Sequence, residues 1–187
     1  MPLSPAARAE LLDIARSALQ AKLTSNTAPP SAPQNPELLQ PAGCFVSLHQ
    51  RSDHALRGCI GRLEATAPLW QVVRETAVDV LGDPRFTTHR VTAEDLQNVE
   101  IELTVLSPLK PAPSPLDFDL LNDGLYLTFS GRAGCFLPQV ARETGWNKEQ
   151  LLARLCTEKM GLPPDAWKLP NAKLFKFDVE IVGPEPF

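Results

Sequence analysis

No stretch of the 187-residue chain runs apolar for the roughly 20 residues that a helical membrane span needs. No membrane association is therefore expected. The opening residues Met1-Pro2-Leu3-Ser4-Pro5-Ala6-Ala7-Arg8 lack the long apolar core of a signal peptide, so a cytoplasmic location is the expectation. There is no run of Lys or Arg, and the net charge is −4. A nucleic-acid backbone calls for a basic surface, so neither DNA nor RNA is an expected partner. The four cysteines, Cys44, Cys59, Cys135 and Cys156, form no CxxC pair and have no histidine at zinc-ligand spacing. No metal and no cofactor are expected, and in a reducing compartment the four are free thiols.

What is present is ordinary for a soluble globular protein: 43% hydrophobic and 21% charged residues. The length fits one domain over residues 1–187, divided at most into two small lobes. Nineteen prolines cluster near residues 29–41, near 108–115 and at the C-terminus, marking connectors.

The apolar spacing predicts the elements. Ser4-Pro5 opens a helix over about residues 4–24, with Ser as N-cap and Pro in the first turn; Leu11, Leu12, Ala15, Ala18, Leu19 and Leu23 recur at helical period. A proline-rich loop over 28–41 follows. Cys44–Leu48 and Ala55–Glu64 read as an antiparallel strand pair across a polar turn. Leu69–Leu81 reads as a helix stopped by Gly82-Asp83-Pro84, and Thr92 to Asp95 as a capped turn. Val99–Val105 alternates, with Glu100 and Glu102 on the polar side. Past the 108–115 loop, Gly124–Ser130 is a strand. A helix then runs from about Leu137 to Thr144, and another from Asn147, boxed by Gln150, towards Met160. Lys173–Val182 closes the chain as one strand. Neighbouring strands with helices between groups point to α+β rather than a doubly wound sheet. Gly43-Cys44-Phe45 recurs as Gly134-Cys135-Phe136, too short an echo to mark a duplication.

The chemistry concentrates in Leu56-Arg57-Gly58-Cys59-Ile60-Gly61. In a regular strand Arg57 and Cys59 share a face, where a guanidinium favours the thiolate. Gly58 and Gly61 let a ligand or another backbone come close. One reading makes Cys59 a nucleophile, His49 (or His89) its base and Glu102 an acid or orienting group. A second makes Cys59 a small packed residue. A third is a ligand site without chemistry, in which Arg57 and Arg85 hold an anion by forked hydrogen bonds.

Five blocks in order resemble the AMMECR domain family, whose microbial members are called AmmeMemoRadiSam system protein A. They are Gly43-Cys44-Phe45-Val46-Ser47-Leu48, the hexapeptide, Asp83-Pro84-Arg85-Phe86, and Ile101-Glu102-Leu103-Thr104-Val105-Leu106-Ser107-Pro108. The fifth is a C-terminal block with Leu137-Pro138-Gln139-Val140-Ala141, Trp146 and Lys159-Met160-Gly161-Leu162. The match covers about residues 43–182. It implies an α+β fold with two lobes, each an antiparallel sheet flanked by helices, and a cleft between them built around Leu56–Gly61. It also implies, through genome neighbourhood and fusion, a Memo-type protein and a radical S-adenosylmethionine (SAM) enzyme as partners. The family supplies no settled reaction.

Overall fold

The first helix begins where a serine can satisfy its free N–H groups. Ser4 Oγ accepts from the Ala7 N–H at 3.2 Å, and the Ser4 carbonyl accepts from the Arg8 N–H at 3.0 Å. Helix α1 then runs over Pro5–Thr24 and buries Leu11, Leu12, Ala15, Ala18 and Leu19, as the spacing predicts. The computed structural model describes residues 2–24, 30–64 and 66–187. The start of the proline-rich loop, residues 28–29, lies outside the described residues. Further along that loop Asn35 caps a short turn over Pro36–Leu39. Glu37 in this turn accepts from the Ser4 N–H (2.9 Å) and the Ser4 hydroxyl (2.7 Å), fixing the helix start.

The chain forms two compact units: Met1–Leu106 with Glu180–Phe187, and Ser107–Val179. The first holds α1, β1 (Gly43–Gln50), β2 (Leu56–Arg62), α2 (Leu69–Asp79) and β3 (Val99–Leu106). Its sheet has the order β2-β1-β3-β8, where β8 is Val179–Pro186. Register decides which side chains meet. Val46 lies opposite Ile60 and Leu103, and Leu48 opposite Gly58 and Ile101. These positions join the buried faces of α1 and α2 in one core. Because side chains alternate along a strand, the other sheet face carries Phe45, Ser47 and His49, with Cys59 and Gly61 to one side and Glu100, Glu102 and Thr104 to the other.

The second unit has a sheet of order β4-β7-β5-β6, formed by β4 (Lys110–Pro111), β5 (Gly124–Phe129), β6 (Arg132–Phe136) and β7 (Lys173–Phe177). Helices α3 (Pro138–Thr144) and α4 (Lys148–Arg154) pack against it around Leu125, Leu127, Phe136, Leu152 and Leu155. The Asn147 capping box forms in full with Gln150. Past Arg154 the helix widens by one residue per turn over Leu155–Lys159.

Three features differ from the sequence reading. Strand β6 is an addition: Ser130 and Gly131, with φ of 49° and 75°, make a two-residue hairpin turn of the kind that matches strand twist. Within the 108–115 connector, Lys110 and Pro111 pair with Lys176 and Phe175 as β4. The expected single strand over Lys173–Val182 is two strands in two sheets. Leu174 and Phe177 are both buried, and their three-residue spacing breaks alternation. The chain changes sheets at exposed Asp178, whose N–H donates to Ser107 Oγ at 2.9 Å while its carbonyl accepts from the Ser107 N–H at 3.0 Å. The architecture is α+β with two antiparallel four-stranded sheets, in agreement with the sequence expectation.

Candidate functional site

The hexapeptide is β2, an edge strand of the first sheet. Its glycines are explained by packing. A Cβ on Gly61 would overlap the ring of Phe45, its cross-strand partner, and a Cβ on Gly58 would lie 3.0 Å from both Cγ2 and O of Val80. Between them Cys59 lies opposite Ser47, and Ser47 lies opposite Glu102. One row across three strands therefore reads Cys59–Ser47–Glu102, with the small Ser47 (7% exposed) as its floor. Adjacent strands are about 4.8 Å apart, so Cys59 and Glu102 flank a space roughly 10 Å wide. His49 belongs to the next row, opposite Glu100, at a diagonal of about 7 Å from Cys59.

An edge strand leaves backbone groups unpaired, and here two side chains pair them. Asp83 Oδ2 accepts from the Cys59 N–H at 2.9 Å, and Arg85 Nη2 donates to the Cys59 carbonyl at 2.9 Å. The two are themselves forked together: Arg85 Nε reaches Asp83 Oδ1 (3.1 Å) and Nη2 reaches Oδ2 (2.7 Å). Asp83 also accepts from the Arg85 N–H, so the Asp83-Pro84 turn fixes the geometry locally. Asp83 is 1% exposed, and hydrogen bonds from the Arg85 side chain, then from the Cys59 and Arg85 N–H groups, hold its carboxyl well below the usual range. Arg85 is raised, chiefly by Asp83 and in smaller part by the neighbouring Cys59 thiol. The guanidinium beside Cys59 is thus Arg85, already paired with a carboxylate.

Arg57 follows another path. The register slips by one residue between Leu48 and His49, leaving Arg57 as the extra residue of a β-bulge. Its guanidinium engages Gln50 Oε1, the His89 carbonyl (3.4 Å) and, at 3.7 Å, Asp95, while its buried Nε has no partner. Regular alternation with Cys59, expected from the sequence, stops at this bulge. His89 is exposed and bonds Thr88.

His49 Nδ1 faces the His54 carbonyl at 3.2 Å. A carbonyl only accepts, so Nδ1 carries the proton in the neutral ring, and the lone pair falls on Nε2. Nε2 is buried without a hydrogen-bond partner. His54, at φ 56°, places its own ring 3.1 Å from Glu100. The Glu102 side chain is half-buried and makes no hydrogen bond or ion pair among the described residues. The sheet thus gathers Cys59, His49 and Glu102 on one face, with Gly61 below Phe45. Arg85 lies along the strand's outer edge, Gly58 faces the core beside Val80, and Arg57 is turned aside. Ser47 and Asp83 are the members that sequence reasoning passed over. Strand alternation from His49 signals Ser47, and the Asp-Pro turn signals Asp83. Among the described residues no group of three or more His, Cys, Asp or Glu stands together as a metal-ion cluster.

Fold and site define a class: an α+β protein with two four-stranded antiparallel sheets, one of them edged by a side-chain-guarded Gly-Cys strand. The chain belongs to the AMMECR1 family, whose model matches residues 12–182. It is 38% identical to protein MJ0810 of Methanocaldococcus jannaschii over 74% of this chain and 71% of that one. It is 36% identical to a protein of Methanothermobacter thermautotrophicus over 96% and 95%. The crystal structure of the uncharacterized protein PH0010 from Pyrococcus horikoshii superposes with a TM-score of 0.79 at 31% identity, covering 95% of this chain and 96% of that one.

Proposed function

We propose that the first sheet's face around Cys59, Ser47, Glu102 and His49 is a ligand site centred on a thiol. Cys59 is its nucleophile, His49 Nε2 takes the thiol proton, and Glu102 orients the ligand from the far side of Ser47. The observation that carries this is His49 Nε2, a buried acceptor left without a donor while Nδ1 is fixed by a carbonyl. A buried polar atom without a partner is costly, and a ligand or a bound water restores the missing bond. The roughly 7 Å diagonal means that the ligand, or a water beside it, bridges thiol and imidazole. Asp83 and Arg85 act by holding the Cys59 backbone, which fixes where the thiol stands.

The test is the alkylation rate of Cys59 by iodoacetamide across pH, followed by peptide mass spectrometry. His49→Gln is expected to slow labelling near neutral pH by about tenfold, and Glu102→Gln to leave it nearly unchanged, because Glu102 faces the ligand. Equal rates in the parent protein and His49→Gln would remove the base and with it the catalytic reading.

A ligand site without chemistry is the second reading. It is favoured by the neutralised state of Arg85, whose pairing with Asp83 weakens its help to a thiolate. Cys59→Ser then leaves binding of the partner intact. The resemblance to AmmeMemoRadiSam system protein A suggests who the partners are, a Memo-type protein and a radical SAM enzyme in the cytoplasm. Co-purification with each, in the parent and in Glu102→Gln, tests them.

A further inference from the structure

The second unit contains a cavity of about 430 Å³ far along the chain from the hexapeptide. Pro111, Pro113 and Pro115 line it on one side; Trp167, Lys173 and Phe175 are among the residues that complete it, over a floor of Leu127 and Leu174. The volume falls within the range of small-molecule sites. We propose that this cavity binds a small carboxylate with an apolar body, at a site separate from that on the first sheet.

The wall explains why the space persists. Alternate prolines have fixed φ angles and no N–H, so this stretch neither collapses inward nor points bare donors into an apolar space. Ala112, between two of them, has its N–H taken by the Leu174 carbonyl at 2.9 Å. The wall is therefore preorganised, which reduces the ordering cost of binding. Trp167, only 6% exposed, and the cross-strand pair Leu127 and Leu174 supply the apolar surface for a chain or ring.

The charge selects the ligand's head group. Lys173 is the one ionisable side chain in the lining. Among the described residues it has no hydrogen-bond, ion-pair or ring partner. Every other lysine of this unit has one. Lys110 pairs with Asp178, Lys148 with the Leu116 carbonyl, Lys168 with Asp165 and Lys176 with Asp117 and Asp123, while Lys159 lies over the Phe136 ring. The Ser114 hydroxyl is the remaining polar side chain of the lining. An exposed ammonium and an exposed hydroxyl beside a lining of mostly apolar residues suit a carboxylate on an aliphatic or aromatic body.

Isothermal calorimetry of the full chain with octanoate, and with octanol as its uncharged analogue, tests the site. Octanoate is expected to bind with a Kd of about a millimolar or tighter. Lys173→Met keeps the apolar stem and removes the charge; it is expected to weaken octanoate about tenfold and leave octanol unchanged. Ser114→Ala provides a second variant at an exposed position, with a smaller loss for octanoate alone. Absence of octanoate binding at millimolar concentration overturns the site. Equal affinity for the two ligands, or an octanoate affinity unmoved by Lys173→Met in a variant whose thermal midpoint matches the parent, overturns the carboxylate assignment.

Discussion

Both sheets end in a strand carrying Gly-Cys: Gly58-Cys59 on β2 and Gly134-Cys135 on β6. In both the glycine is there for packing. A Cβ on Gly134 would come within 2.8 Å of Lys159 Cβ and Met160 Cγ, much as one on Gly58 would press on Val80. The cysteines diverge. Burial pushes the Cys135 thiol up to about 12, against a smaller opposing effect of Lys159. Cys59 remains half-buried, with its N–H and carbonyl gripped by Asp83 and Arg85. Among the described residues no side chain does this for the Cys135 backbone. A shared dipeptide thus fixes the fit of the strand, while burial sets the Cys135 thiol apart and a side-chain clamp holds the Cys59 backbone.

The largest expected effect is in thiol reactivity. At pH 8 a thiol at about 12 is ionised in only about one molecule in ten thousand, and the thiolate is the reacting form. Iodoacetamide at pH 8 should modify Cys135 far more slowly than half-buried Cys59, read from the two peptides by mass spectrometry. Cys44, fully buried and likewise raised by burial, should be as slow as Cys135. Comparable rates at Cys59 and Cys135 would dissolve the contrast between the strands.

Next come the glycines, where the strands should behave alike. Gly134→Val is expected to cost about 3 kcal/mol and Gly58→Ala about 2 kcal/mol, both from overpacking, measured as shifts in the urea midpoint. A neutral Gly58→Ala would show that Val80 yields, leaving Gly134 as the required glycine of the two Gly-Cys pairs.

The Asp83 clamp should separate them again. Asp83→Asn is expected to cost about 2 kcal/mol at neutral pH, because the Cys59 N–H and the Arg85 fork lose a charged acceptor. The folded carboxyl is depressed below its unfolded value of about 3.9. Its contribution is therefore complete above that value and lost as pH falls through it towards the folded one. Parent and Asp83→Asn stabilities should converge on acidification below about pH 4. Parallel curves would mean that Asp83 is not the titrating group.

Much of this architecture was legible in the sequence, and the failures have physical causes. Ser4, Asn147 and the Val99–Val105 alternation announced their elements because caps and burial patterns act locally. Strand β6 was hidden because Arg132-Ala133-Gly134 offers no apolar alternation, although Ser130-Gly131 signalled a hairpin. The change of sheet at Asp178 was masked by an apolar run that continues through Phe177, Val179 and Ile181 even though Ile181 is 41% exposed. At the candidate site the residue types were readable: Cys59, His49 and Glu102 do share a face. The bulge at Arg57 was not, because it depends on register between β1 and β2. The pairing of Asp83 with the Cys59 backbone, 24 residues away in sequence, was hidden for the same reason.

The finest discrimination lies in Arg85→Lys, which keeps the charge and removes the fork. If Arg85 serves only as a cation near the thiol, lysine should replace it with little change. The geometry argues otherwise: Nε and Nη2 grip both oxygens of Asp83 while Nη2 also serves the Cys59 carbonyl. A lysine ammonium has three donors but no planar fork to hold this arrangement. Because the Arg85 side chain is 57% exposed, solvent weakens each bond. A loss of about 1 kcal/mol is expected in the urea midpoint, with Cys59 labelling altered and Cys135 labelling unchanged. Full stability and parent-like Cys59 labelling in Arg85→Lys would reduce the clamp to a simple charge. The two Gly-Cys strands would then differ by burial alone.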